Sequence, residues 1–221
     1  MKEQPSKKAP SDEPKETSIG RNTVYFFVAM IILIGLLVGY IWFKSHTAAK
    51  ERELNRYNGF DFAQAEGGLW VTEIQVGKQP YTVPFYHHPR DLEDVLFDRN
   101  ALVPLQSAPR EVFISLEPDA GSQVVIAGVE ISRITGNKYN FYNLNTKGAL
   151  TRLPTDEPLD LPVINCYNAT PDRVVIQFVP AKQNVIVRSE KNPSCILLNY
   201  QNATESIRVA DKFAYMLLKI V

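Results

Sequence analysis

The side chains able to do chemistry are few and scattered. Histidine occurs three times, at His46, His87 and His88, and cysteine twice, at Cys166 and Cys195. A thiol beside an imidazole is the beginning of a nucleophile and base pair, so His87 with either cysteine is one combination the chain could assemble. Nothing local supports it: there is no Gly-x-Ser-x-Gly turn, no phosphate loop ending in Gly-Lys-Ser/Thr, no His-Glu-x-x-His and no Cys-x-x-Cys. On a strand, His87 and His88 would point to opposite faces, which makes a shared metal site awkward. The plainer reading is a turn at His87-His88-Pro89-Arg90 with both imidazoles in solvent. The carboxylates of Asp91, Glu93 and Asp94 suit the first turn of a helix on a solvated face, and Glu130 with Arg133 suits an exposed ion pair three residues apart. These residues assign no catalytic role, no metal ligand set and no cofactor.

Two Asn-Ala-Thr triplets, at Asn168 and Asn202, fit the acceptor pattern for N-glycosylation. Each has a structural use as well. Asn202 with Glu205 three residues on fits a helix N-cap with a reaching acid, and Asn168 ahead of Pro171-Asp172 fits an Asx-type turn. Cys166 and Cys195 lie 29 residues apart at the ends of expected strands. They either close an easy loop as a disulfide or pack as two buried thiols.

The elements that must position these groups begin with an anchor. Asn22 to Phe43 is 22 residues without a charge, which as a helix reaches about 33 Å and crosses a hydrocarbon core. Tyr25, Phe26 and Phe27 at one end and Tyr40, Trp42 and Phe43 at the other are rings that prefer the headgroup region. Gly35 and Gly39 form Gly-x-x-x-Gly, a candidate helix–helix contact for a homodimer through the membrane. The flanking charges, Lys8, Lys15 and Arg21 against Lys44, Lys50, Arg52 and Arg56, do not decide orientation.

Residues 1–21 read as a disordered tail, rich in proline and charge. Residues 22–43 are the transmembrane helix and 44–59 a helical stalk ending at Asn58-Gly59. Residues 60–221 form a globular domain of about 160 residues, large enough to bury a core. A hairpin is expected around Gly77-Lys78, its second strand at an edge because of Pro80 and Pro84. Further expectations are a short helix over "HHPRDLEDVLF" and a strand over "EVFISLEP". A helix over "GSQVVIAGVEISRITG" has Ser122 as cap, Val124, Gly128, Ile131 and Thr135 inward, and Gly136 as stop. Strands follow at "KYNFYNL", "RVVIQFV", "NVIVRS" and "SCILLNY", then a final helix with Ile207, Ala210, Ala214, Leu217 and Val221 as its stripe. The class is α+β: an N-terminal transmembrane helix and helical stalk, then a mostly antiparallel sheet with two or three packed helices.

With 24 Lys+Arg against 24 Asp+Glu, the chain has no basic field for nucleic acid. Its partners are the lipid bilayer and a protein partner of unknown identity. The residues Pro89-Arg90-x-Leu92, "FISLEP" with Pro118, "GVEISRITG", "VINCYNAT", "CILL" and "VADKF" carry a resemblance over roughly residues 85–221. On them the domain resembles an uncharacterised family of single-pass membrane proteins from small-genome archaea. The resemblance implies a Cys166–Cys195 disulfide in an extracytoplasmic domain and names no activity. The expected function is a membrane-anchored extracytoplasmic domain in cell-surface structure or partner binding. A pilin-like filament subunit is the first alternative, although after a cut at Gly20 the fifth residue is Tyr25 where such subunits usually carry an acid. An enzyme with an unrecognised site is the second.

Overall fold

A computed structural model describes residues 20–155 and 160–221, without the side chains of residues 21, 22 and 48–54. The expected tail, as far as residue 19, lies outside the described residues. The chain divides into two compact units, Met1–Lys50 and Glu51–Val221. Helix α1, Arg21–Leu54, begins in the first. Its stretch Thr23–Thr47 is the one helix among the described residues that is long and apolar enough to cross a membrane, and none of it is buried. Gly35 and Gly39 lie exposed on it, with open space where a side chain would begin.

In the second unit, α1 stops at Leu54, short of the expected stalk end. Asn58-Gly59 instead turns a hairpin between β1 (Arg56–Tyr57) and β2 (Phe60–Gln64), with φ of 46° and 88°. Both values lie in the left-handed region that two-residue hairpin loops require and Asn-Gly supplies. Strands β3 (Trp70–Val76) and β4 (Gln79–Phe85) follow around Gly77-Lys78, as expected, giving a four-stranded antiparallel sheet in the order β1-β2-β3-β4. Strand β4, with its two prolines, is at the edge. The "HHPRDLEDVLF" segment forms only a 3₁₀ turn, Pro89–Leu92, ahead of β5 (Leu96–Phe97).

After α2 (Val103–Gln106), strand β6 (Glu111–Leu116), helix α3 (Ser122–Thr135) and strand β7 (Thr146–Leu150) make a β-α-β unit. Strands β8 (Arg173–Pro180), β9 (Val185–Arg188) and β10 (Cys195–Tyr200) and helix α4 (Ala203–Leu217) complete the chain. The second sheet is six-stranded, in the order β5-β9-β10-β8-β6-β7. Only the β9–β10 pair is antiparallel; the other four pairings are parallel. The class is mixed α and β as expected, but the larger sheet is mostly parallel. A strand that returns beside its predecessor through a crossover helix must run parallel to it, and β6-α3-β7 is that case.

Two further expectations fail for local reasons. "KYNFYNL" is irregular because Asn140 and Asn143 take φ of 56° and 52°, which breaks extended pairing. Its aromatic side chains serve the core from a loop: Tyr139 and Phe141 both meet Tyr81 at 5.9 Å. The cap of α3 is Gly121, at φ 79°, and Ser122 is the first helical residue. Val124, Gly128, Ile131 and Thr135 are all buried as expected.

Alternation sorts the six-stranded sheet into two faces. Val112, Ile114, Val174, Ile176, Phe178, Ile196 and Leu198 join the main core with α3 and α4. On the opposite face, Phe113, Ala149, Ala169, Val175 and Cys195 form a smaller cluster, with Ile164, Cys166 and Leu197 packed against it. Helix α4 packs on β10 and α3. The Tyr215 ring on α4 also meets Phe62 at 5.8 Å and Phe85 at 4.2 Å, on the small sheet. Burial therefore wraps nearly the whole of α4, including Asp211 and Lys212.

Candidate functional site

The small cluster covers only part of its face of the sheet. Beyond it, Gln177 and Val179 of β8, Val187 of β9 and Leu197 of β10 floor an open groove of about 970 Å³. That is within the range of ligand pockets, about 300–1,000 Å³.

One wall of the groove is the 3₁₀ turn Cys166–Asn168. It forms because two asparagines cap each other. Asn165 Oδ1 accepts the Tyr167 N–H at 3.0 Å, and Asn168 Oδ1 accepts the Asn165 N–H at 3.0 Å. Asn168 is thus a capping residue of this turn, a reciprocal arrangement known from helix starts. Five further ties fix the turn to its surroundings. Asn165 Nδ2 donates to Thr151 O at 3.0 Å, and the Cys166 N–H to Gln177 Oε1 at 3.0 Å. Asn192 Nδ2 donates to Cys166 O at 2.8 Å and to Ala169 O at 2.9 Å. The last tie is covalent: Cys166 and Cys195 form a disulfide, with Cα atoms 5.3 Å apart. Cys195 is fully buried at the start of β10. Cys166 lies in the turn and not at a strand end, where the sequence reading had put it.

Tyr167, held at the rim by these ties, is 84% exposed. The rim also carries Arg152, which pairs with Glu117 and Asp119 at 3.0 Å each, and Arg188, whose Nε donates to Pro193 O at 2.7 Å. Asp98 caps the 3₁₀ turn Arg99–Leu102 through Oδ1.

The histidines lie elsewhere. His46 stacks on Trp42, one turn back on α1, with centroids 5.5 Å apart. His88 is buried, contrary to the solvent expectation. Its Nδ1 accepts the Arg90 N–H at 3.3 Å, which leaves Nε2–H to donate to Asn55 O at 3.2 Å. The rings of Phe62 and Trp70 lie 5.0 and 4.8 Å from it. His87 is half-buried, and its Nδ1 donates to Asp211 Oδ2 at 2.9 Å. The same oxygen accepts the N–H groups of Tyr86 at 3.1 Å and His87 at 2.9 Å, and Tyr215 OH donates to His87 O at 2.7 Å.

A carboxylate orienting an imidazole is also the supporting half of a nucleophilic triad. Here both cysteines are held in the disulfide, so the thiol and imidazole combination is not assembled. Asp211 and Tyr215 instead pin the end of β4 to α4. Asp211 Oδ1 is buried with no partner among the described residues, and burial holds the Asp211 carboxyl above the ordinary carboxylate range. Glu130 also departs from expectation: it pairs with Arg133 at 2.8 Å but is buried, and burial raises its pKa.

No family model, curated protein or solved structure matches this chain. The geometry alone therefore distinguishes the sites. No group of three or more His, Cys, Asp or Glu able to hold a metal occurs among the described residues. Of the residues singled out by sequence, Cys166 lines the groove, Cys195 is buried behind it as its disulfide partner and Asn168 caps the turn that makes the wall, while Asn202 caps α4, with its Oδ1 accepting from Thr204 and Glu205. Glu205 does not reach back to Asn202; it bonds Asn184 and pairs with Arg208 at 2.7 Å. Sequence reasoning missed Asn165, Gln177, Asn192 and Asp211. Asp211 alone carried a signal, a charge set amid the apolar residues of the last helix.

Proposed function

We propose that this chain is a single-pass membrane protein whose C-terminal domain stands outside the cytoplasm and binds a partner or ligand through the disulfide-walled groove. The observation that carries this reading is the Cys166–Cys195 disulfide in the groove wall, since such bonds persist in oxidising compartments and are rare in the cytosol. The apolar helix Thr23–Thr47 supports the anchor. A rigid turn presenting an exposed tyrosine over an apolar floor supports binding, because sites held by fixed side chains lose little order on association. Membership of the archaeal single-pass group belongs to this proposal and rests on the motifs quoted from residues 85–221.

The test is thiol labelling on intact cells with a membrane-impermeant maleimide. The expected result is no labelling until an impermeant reductant is added, and labelling of Cys166 afterwards without lysis. Labelling before reduction, or labelling only after lysis, would overturn the reading.

A further inference from the structure

The walls of the groove define the chemistry of what fits it. Three acids, Asp98, Glu117 and Glu190, line it against three bases, Arg152, Arg188 and Lys191. The lining is therefore neutral as a whole and offers no field for a strongly charged ligand. Its floor is apolar at Val179, Val187 and Leu197. Several polar groups keep unspent hydrogen-bonding capacity. Among the described residues, Gln177 uses only Oε1, Asp98 only Oδ1 and Arg188 only Nε. Gln177 Nε2, Asp98 Oδ2 and the two Nη atoms of Arg188 are left over. They give donors on Gln177 and Arg188 and an acceptor on Asp98, all on planar groups.

The Tyr167 ring is the other half of the pattern. An aromatic ring so exposed on a rigid turn gains nothing for the fold, yet the turn is fixed by two asparagine caps, four side-chain ties to the sheet and its loops, and a covalent bond. A flat apolar face with a phenolic edge beside planar donors and an acceptor matches a molecule with the same duality. A sugar ring is such a molecule: one face presents C–H groups and its rim presents adjacent hydroxyls. A peptide strand would instead seek an unpaired sheet edge, and this groove lies on a sheet face.

Resting on the reading of the groove as the binding face, we propose that it is a site for a neutral glycan. Tyr167 is the stacking platform, and Gln177, Asp98 and Arg188 bind the hydroxyls.

Isothermal titration of the full chain in nanodiscs tests this, with mannotriose and chitotriose as neutral probes and a sulfated heparin hexasaccharide and an uncharged octapeptide as comparisons. The expected result is saturable binding of at least one neutral sugar at up to millimolar concentration. Tyr167→Ala should weaken it by about fivefold to tenfold, the size of one lost aromatic contact. Tyr167→Phe should restore it, and Tyr86→Ala, at an exposed tyrosine outside the groove, should leave it unchanged. Absence of binding to both neutral sugars would overturn the proposal. So would binding of the sulfated sugar or the peptide alone, or sugar binding indifferent to Tyr167→Ala. Thiol labelling on cells reads compartment and not ligand, so a failure with sugars falls on the glycan assignment and leaves the topology result standing.

Discussion

Among the described residues, Asp211 accepts three hydrogen bonds on one oxygen and none on the other. Truncation to alanine leaves two part-buried backbone N–H groups and the His87 imidazole without their acceptor, and should cost about 2–4 kcal/mol in urea denaturation. Asp211→Asn keeps an acceptor in place and should cost clearly less. The pH dependence has a definite sign. Burial raises the folded pKa of Asp211 above its ordinary value of 3.8, so the folded chain holds that proton more tightly than the unfolded one. The resulting stabilisation is fully present below pH 3.8 and is lost as pH rises through the raised value. Denaturation midpoints followed from about pH 3 to 7 should therefore fall less with rising pH in Asp211→Asn than in the parent. Residue-scale legibility was uneven for a physical reason. Asn202 could be read as a cap because capping is local chemistry, one side chain over its own next residues. Asp211 and His88 could not, since their partners lie 124 and 33 residues away.

At the scale of elements, the loop closed by Cys166 and Cys195 spans 29 residues. Replacing both cysteines with alanine should cost about 3–4 kcal/mol on the chain-entropy account, measured by urea denaturation of the oxidised parent against the variant. A much smaller loss would mean that the asparagine ties alone fix the turn. The elements with strong local signatures were legible. They are the β3–β4 hairpin at Gly77, strands β6, β8, β9 and β10 with their β-branched runs, and the two packed helices. Strand β7 was not, because Thr-Lys-Gly-Ala-Leu carries little strand preference and pairs only because α3 returns the chain beside β6. The larger sheet, expected mostly antiparallel, is mostly parallel for the same reason: strand direction follows from crossovers, which pattern within a strand does not encode. The groove was legible only through Cys166 in its wall and Asn168 in the same turn.

For the molecule as a whole, the unit Glu51–Val221 has its own core, joining both sheets and both long packed helices. Expressed alone under oxidising conditions, it should fold as a soluble domain with a cooperative thermal transition and a closed disulfide, as judged by circular dichroism and thiol titration. Non-cooperative melting of that fragment would show that its stability depends on residues before it. The balanced charge and mixed core were readable from composition, whereas the open face of the larger sheet depends on how much of that face the segment around residues 163–170 covers.

The hydrogen bond from Asn58 Nδ2 to Ile220 O, at 2.9 Å, brings the first hairpin of the folded unit to its last residues. The first hairpin and the last residues thus share one corner of the unit. Tension arriving along the chain from residue 55 meets the β1–β2 hairpin first, where Arg90 and His88 hold the backbone carbonyls of Arg56 and Asn55. Those side-chain ties are the first contacts such a pull would strain. The hairpin would act as the fuse of the unit, the part spent first by a pull on its root.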